Sequence, residues 1–155
     1  MQFEPASTIK PDLDETAMQH QACLTIQGDI LAVRDGLGLL MSMKPLRALS
    51  DEIRGTVAIV LAEALNNVVE HAYRDGPGPI RICVDHLAPV LRVSVYDQGL
   101  PMPNEQLPQG LLKPLVEGEE LPEGGFGWFL IRTLTMDLAY ERHGNLNHLC
   151  FEVQA

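Results

Sequence analysis

Positive charge and long apolar segments are both scarce in this sequence of 155 residues. Only 11 lysines and arginines stand against 21 aspartates and glutamates, which gives a formal net charge of −10. An acidic excess of this size disfavours unassisted binding to nucleic acid or to an anionic membrane. No apolar run approaches the roughly 20 residues of a membrane span, and the first ten residues lack the apolar centre of a signal peptide. We therefore expect a cytoplasmic protein whose partners are other proteins, without direct nucleic-acid or membrane contacts.

Cysteine is also rare. The three cysteines, Cys23, Cys83 and Cys150, are odd in number, and each lies in an apolar run typical of a strand. They form no C-x-x-C motif, and their spacing does not indicate a metal site. We expect all three to be reduced thiols in the core, as is usual in the cytoplasm.

The length fits one domain that buries about 70% of its unfolded surface. Residues 1–19 are polar and aperiodic and predict an N-terminal arm, so that residues 20–155 form the domain. Apolar residues alternate with polar ones in five predicted strands, at residues 22–26, 80–84, 91–95, 138–142 and 148–153. The pattern predicts an α/β fold, a two-layer sandwich with helices on one face of a mostly antiparallel mixed sheet.

Capping residues and apolar periodicity predict three helices. Asp29 can cap a helix whose core stripe is Ile30, Val33, Leu37, Leu40 and Met41. Ser50 can cap a long helix that ends near Tyr73. A third helix is predicted from Gly127 to about Met136.

The second helix carries a carboxylate, an amide and an imidazole on one side. Glu63, Asn67 and His71 are four residues apart, so their side chains lie one above another. Asp97 is placed where an apolar strand meets a turn at Gly99. These two polar segments predict a pocket between the helix and the strand end.

A glycine cluster directly precedes the third helix. Gly124, Gly125, Phe126 and Gly127 lead into an apolar helical run, where free backbone N–H groups can hold phosphate. The cluster is not a P-loop, since no Gly-Lys-Ser/Thr follows it. Taken with the two polar segments, it predicts a nucleotide pocket.

In these motifs the chain resembles the GHKL superfamily of ATP-binding domains, and within it the bacterial anti-sigma factor serine kinases. Glu63 to Tyr73 match the family's N box, E-x-x-x-N-x-x-x-H-A-Y. Asp97 and Gly99 match its D-x-G box, and Gly125 and Gly127 match its G-x-G box. Pro101 departs from the glycine of many members, and the segment expected to be the ATP lid, residues 100–123, carries five prolines. The resemblance implies the Bergerat ATP-binding fold.

The resemblance implies a role for each polar residue, and each has a simpler alternative. Glu63 is the expected general base, and otherwise a solvated carboxylate. Asn67 is the expected Mg²⁺ ligand, and otherwise a surface amide. Asp97 is expected to accept a hydrogen bond from the exocyclic amine of adenine, and an Asx turn before Gly99 is compatible with that role.

The remaining site residues are less sharply assigned. For His71 the preferred expectation is a structural role, packing or orienting the helix end. The alternative is a place beside the phosphates or the lid. Gly124, Gly125, Phe126 and Gly127 are expected to cradle the phosphates. Asn147 falls where the family has a polar residue near the base.

The function that follows is an ATP- and Mg²⁺-dependent serine kinase. By resemblance it would bind a sigma factor and phosphorylate an anti-anti-sigma antagonist of the STAS type. The alternative is a non-catalytic module in which ATP only gates protein binding. The resemblance also implies a homodimer that uses the sheet edge and the first helix, and Arg34 on that helix matches a partner-binding arginine of the family.

Overall fold

The computed structural model describes residues 21–112, 117–118 and 126–155. The predicted N-terminal arm, and Gly124 and Gly125 of the glycine cluster, lie outside these residues. Five strands form one sheet in the order β1-β2-β3-β5-β4. Their bounds are β1 Gln21–Gln27, β2 Pro79–Leu87, β3 Val90–Asp97, β4 Met136–His143 and β5 Leu146–Gln154.

Every strand pairing within the described residues is antiparallel. The α/β sandwich is therefore as expected, but its sheet is antiparallel throughout these pairings rather than mixed. Asp97 is the last residue of β3, and its partners are Ile80 on β2 and Asn147 on β5. The register thus sets Asn147 directly beside Asp97, although 50 residues separate them.

Three α-helices accompany the sheet: α1 Ile30–Ser42, α2 Asp51–Asn67 and α3 Gly127–Leu134. Asp29 caps α1 by accepting from the Ala32 N–H, and Ser50 caps α2 by accepting from the Ile53 N–H. Both predicted caps are confirmed. Helix α3 ends two residues earlier than predicted, because Met136 begins β4.

The buried core lies between the helices and one face of the sheet. Helix α2 contributes Val57, Val60, Leu61, Ala64 and Leu65, and the sheet contributes residues such as Ile82, Val93 and Phe151, all nearly or fully buried. Ile30, which was expected on the core stripe of α1, is 67% exposed. It is the first residue of the helix, and the buried face begins only at Val33.

The expectation of three reduced core thiols is wrong. Cys23 and Cys83 face each other across β1 and β2, with their Cα atoms 4.2 Å apart, and they form a disulfide. Cys150 on β5 is a free cysteine and is partly exposed. The pairing follows from the register of two strands that lie 60 residues apart in the chain, which the cysteine spacing alone does not reveal.

Candidate functional site

A cavity of about 580 Å³ opens beside the last turns of α2 and the end of β3. Its volume is in the range of pockets that bind small molecules and cofactors. Four of the residues selected from the sequence line it: Asn67, His71, Asp97 and Asn147. Apolar walls come mainly from residues such as Met102, Trp128 and Leu149. The structure thus brings residues from a helix, a strand end and a hairpin to one concave site.

The helix that carries Asn67 and His71 changes its form at the cavity. Helix α2 ends at Asn67, and Val68–Ala72 forms a π-helical turn in which the Tyr73 N–H donates to the Val68 carbonyl. Such turns are frequent at functional sites. Side chains four residues apart therefore lie one above the other from Glu63 to Asn67, as in a regular α-helix. This arrangement does not extend to His71, whose side chain is exposed at the cavity.

Asp97 is buried at the strand end of the cavity. Its Oδ1 atom accepts hydrogen bonds from the Gly99 N–H at 2.9 Å and from Nδ2 of Asn147 at 2.8 Å. Burial raises the pKa of the Asp97 carboxyl, and these two hydrogen bonds and the charge of Arg142 oppose that rise. Among the described residues no donor is bonded to Oδ2, so this oxygen can accept from a ligand.

Gly99 contacts the end of the π-helical turn. A Cβ atom added at this position would collide with the carbonyl of Ala72, and the next residue, Leu100, donates its N–H to that carbonyl at 2.8 Å. The Asx turn at Asp97 is present as well, since Oδ1 accepts from Gly99. Glycine is required here because the loop approaches the helix end closely.

Tyr73 joins the same loop to the helix end. Its hydroxyl donates to the Pro79 carbonyl and accepts from the Gln98 N–H at 2.8 Å. Burial, and to a smaller extent the Asp97 charge, raises the pKa of Tyr73 against the effect of the Gln98 hydrogen bond. The sequence predicted the end of the helix near Tyr73, and the hydrogen bonds of its hydroxyl were not foreseen.

Asn147 has the most hydrogen bonds of the side chains at this site. Its Nδ2 group donates to Asp97 and to the Leu100 carbonyl, and its Oδ1 atom accepts from Tyr140 and Arg142. We call Asp97, Tyr140, Arg142 and Asn147 the strand cluster. Sequence reasoning missed Tyr140 and Arg142, because only the hairpin register brings β4 side chains to Asp97.

Glu63, Asn67 and Gly127 meet at the other end of the cavity, and we call them the helix cluster. A Cβ atom added at Gly127 would lie 2.7 Å from Oε2 of Glu63 and 3.8 Å from Nδ2 of Asn67. The Asn67 Nδ2 atom is buried and, within the part of the chain that the structure describes, has no hydrogen-bond partner. Asn67 lines the cavity, and Glu63 does not.

The start of α3 borders the same end. Within the described part of the chain, no side chain caps this helix. The preceding residue, Phe126, is exposed, and Trp128 in the first turn lines the cavity. Uncapped N–H groups at a helix start attract anions. An anionic group would therefore fit here, and a hard cation carried by it could take Oδ1 of Asn67 as a ligand, since the unpartnered Nδ2 group is a donor.

Among the described residues, no set of three or more His, Cys, Asp or Glu side chains is positioned to hold a metal ion. Nor does any helix of these residues have the length and apolar character needed to cross a bilayer.

Arg34 lies on the exposed surface of α1, and no residue of that helix lines the cavity.

Comparison with known proteins identifies the class of this fold and site. Residues 32–153 match the family described as the histidine kinase-like ATPase domain. This match spans well over half of the chain, and the chain belongs to that family. The GHKL resemblance and the ATP-binding fold expected from the motifs are thereby confirmed.

Among curated proteins, the chain is similar to the Serine-protein kinase RsbW of Bacillus cereus (strain AH187), with 35% identity over 85 residues. The same identity and length are found for the Serine-protein kinase RsbW of Bacillus anthracis (strain CDC 684 / NRRL 3495). Each alignment covers 52% of this chain and 51% of the relative. The chain thus spans about half the length of the curated relatives it matches.

Among solved structures, the histidine kinase domain of a blue-light activated histidine kinase from Erythrobacter litoralis EL346 aligns with a TM-score of 0.47. The sequence identity is 20%, and the alignment covers 66% of this chain and 45% of that chain.

Proposed function

We propose that this protein binds ATP with Mg²⁺ and transfers the γ-phosphoryl group to a serine of a partner protein. Membership of the histidine kinase-like ATPase family implies ATP use, and the similar proteins named serine-protein kinases favour a serine acceptor. The observation that carries the proposal is one cavity with a buried carboxylate at one end and, at the other, an amide nitrogen and a helix start that have no side-chain partner among the described residues.

The strand cluster would bind the adenine. Oδ2 of Asp97 can accept from the exocyclic amine, whereas guanine would present a carbonyl oxygen to the same acceptor. The pocket walls at Met102 and Leu149 offer apolar surface to the base. This orientation directs the phosphates toward the helix cluster and the start of α3.

The helix cluster would serve the transfer. The serine hydroxyl oxygen forms a bond to the γ-phosphorus while the bond from that phosphorus to the β–γ bridging oxygen breaks, and ADP leaves with the electron pair. The Glu63 carboxylate would take the hydroxyl proton. Asn67 would hold Mg²⁺, which supplies charge neutralisation to the phosphates when it is bound.

For the partners, we propose a sigma factor and its STAS-type anti-anti-sigma antagonist, the latter carrying the acceptor serine. This part rests on the motif resemblance to the anti-sigma factor serine kinases. Arg34, exposed on α1, is the proposed anchor for a partner, and a homodimer through α1 and the sheet edge is the proposed assembly. Ile30 and Leu31, at the start of α1, are both largely exposed and available for such contacts.

A second candidate is a non-catalytic module in which ATP only gates protein binding. One observation favours it: the Glu63 carboxylate lies against Gly127 and does not line the cavity. Catalysis therefore requires that Glu63 or the start of α3 shift when the acceptor binds.

Transfer of labelled γ-phosphate to a candidate anti-anti-sigma protein separates the two functions. The wild type should label the acceptor, and Glu63→Gln should keep ATP affinity while the transfer rate falls about 10²- to 10⁴-fold. Glu70→Gln is the matched control, since Glu70 is exposed in the π-helical turn and does not line the cavity. Nucleotide binding by the wild type without any phosphoryl transfer would favour the gating module. Transfer by Glu63→Gln at the wild-type rate would mean that another residue is the general base.

A further inference from the structure

The side chain of Asn147 is held in one orientation by two donors. The Tyr140 hydroxyl donates to Oδ1 of Asn147 at 2.6 Å, and Nη1 of Arg142 donates to the same atom at 2.8 Å. An amide has its acceptor and its donor on opposite sides. Because both β4 donors converge on the oxygen, the Nδ2 group of Asn147 has to face Asp97.

That orientation decides which oxygen of Asp97 is available. Nδ2 of Asn147 and the Gly99 N–H both donate to Oδ1 of Asp97. With Oδ1 occupied by two donors, Oδ2 is the oxygen left to accept from a ligand in the cavity. A reversed Asn147 amide would instead turn its oxygen toward the carboxylate, and the two acceptors would repel each other.

The same β4 side chains fix the loop that follows Asp97. Arg142 donates to the Gly99 carbonyl at 3.0 Å, and the Tyr140 hydroxyl accepts from the Met102 N–H at 3.1 Å. Tyr140, Asn147 and Met102 all line the cavity. The carboxylate and the loop beside it are therefore positioned by one set of hydrogen bonds that comes from the outermost strand.

We propose that Tyr140 and Arg142 are positioning residues for base recognition, which fix the Asn147 amide so that Asp97 presents one oxygen to the exocyclic amine of adenine. The inference rests on the proposed function, since it concerns how ATP is recognised. It assigns to β4 a role in specificity that none of the three sequence motifs contains. Neither residue would touch the base amine itself.

A ligand that lacks only the amine tests this role. Purine riboside triphosphate differs from ATP by a hydrogen in place of the 6-amino group, so it cannot make the bond to Asp97. Calorimetric titration of ATP and of purine riboside triphosphate, both with excess Mg²⁺, gives the ratio of the two affinities for each variant. In the wild type ATP should bind about 10- to 100-fold more tightly, the range for a hydrogen bond to a charged group.

Tyr140→Phe removes one hydroxyl, and Arg142→Met removes the second donor. Each should lower the preference for ATP about three- to tenfold while affinity for purine riboside triphosphate stays within about twofold. Tyr96→Phe is the matched control, because Tyr96 stacks on His148 away from this cavity. The control should keep the wild-type ratio.

Each other outcome overturns the inference. Equal loss of affinity for both ligands would mean that the β4 residues only support the fold, and an unchanged ratio would mean that they do not position Asp97. If the wild type binds neither ligand, the proposed function itself fails. Wild-type binding of ATP with an unchanged ratio in both variants rejects this inference alone.

Discussion

The two ends of the cavity differ in how completely their polar groups are bonded. In the strand cluster, Asp97 and Asn147 are nearly or fully buried, and one oxygen of Asp97 already accepts from two donors. Among the described residues, the buried Asn67 amide nitrogen of the helix cluster has no partner and α3 has no side-chain cap. Both clusters border the buried core formed by α2 and the sheet.

The difference suggests that the two ends of the cavity bind different parts of the nucleotide. Groups that are held before binding lose little freedom when the ligand arrives, so the strand cluster suits selection of the base. The unpartnered amide nitrogen of Asn67 and the N–H groups at the start of α3 are donors that gain most from an acceptor, so the helix cluster suits the phosphates, and Oδ1 of Asn67 suits their cation. Each prediction below changes one end and leaves the other intact.

Asp97→Asn should give the largest change in nucleotide affinity. The variant loses a charged acceptor for the adenine amine, and ATP affinity should fall about 10- to 100-fold. Both protein donors to position 97 can still bond to an amide oxygen, so the variant should fold. Calorimetric titration measures the affinity, and an ATP affinity within twofold of wild type would remove Asp97 from base recognition.

Gly127→Ala should lower the rate of phosphoryl transfer more than it lowers the stability of the fold. The added Cβ atom would lie 2.7 Å from Oε2 of Glu63, and the carboxylate at the end of a flexible side chain must move away. We expect the phosphoryl-transfer rate to fall about tenfold or more, since small misplacements of reacting groups are costly. Gly55→Ala, near the start of α2, is the matched control, because nothing lies within 4 Å of its added Cβ atom. Equal rates in both variants would contradict a role for Glu63 at this position.

Asn67→Ala should weaken binding of Mg²⁺-ATP more than binding of ATP measured in a chelator. A reduction of about tenfold or less is expected from the loss of one neutral ligand. The apo protein should lose little stability, because the deleted amide nitrogen has no partner among the described residues. Asn66→Ala, one residue away and outside the cavity lining, is the control. A loss that is the same with and without Mg²⁺ would argue against metal coordination.

The smallest expected effect is a pH dependence of stability that Asp97 contributes. Burial raises its pKa in the folded state above the ordinary value of 3.8. The folded state therefore holds this proton more tightly, so the contribution is present below the ordinary value and is lost as the pH rises through the folded pKa. Urea unfolding should show the wild type losing stability relative to Asp97→Asn as the pH rises from acid toward neutral. If the wild type instead gains stability relative to Asp97→Asn over that pH interval, the pKa of Asp97 is lowered in the folded state and not raised.

Local sequence signals predicted the elements of this fold well. Asp29 and Ser50 are short-range caps, and strict alternation marked β2 and β3, so both features can be inferred from neighbouring residues. The end of α2 was harder to predict from the sequence, because the π-helical turn at Val68–Ala72 replaces a regular helix there without a clear sequence signal.

Contacts between distant strands could not be predicted in the same way. The disulfide from Cys23 to Cys83 and the bonds from Tyr140 and Arg142 to Asn147 all depend on strand register. A one-residue shift of register turns every side chain to the other face of the sheet. The motifs located Asp97 and Asn67, but Tyr140 and Arg142, which orient Asn147 beside Asp97, became visible only in the assembled sheet.

The most direct test of an adenine-reading site is thermal melting of the wild type with ATP or GTP at equal concentration and excess Mg²⁺. A ligand selective for the folded state stabilises it by about 2.7 kcal/mol at a hundredfold excess over Kd. We predict that ATP raises Tm clearly and that GTP raises it much less, because Asp97 can accept a hydrogen bond but cannot donate one when ionised. Equal shifts with the two nucleotides, or no shift with ATP, would contradict the account.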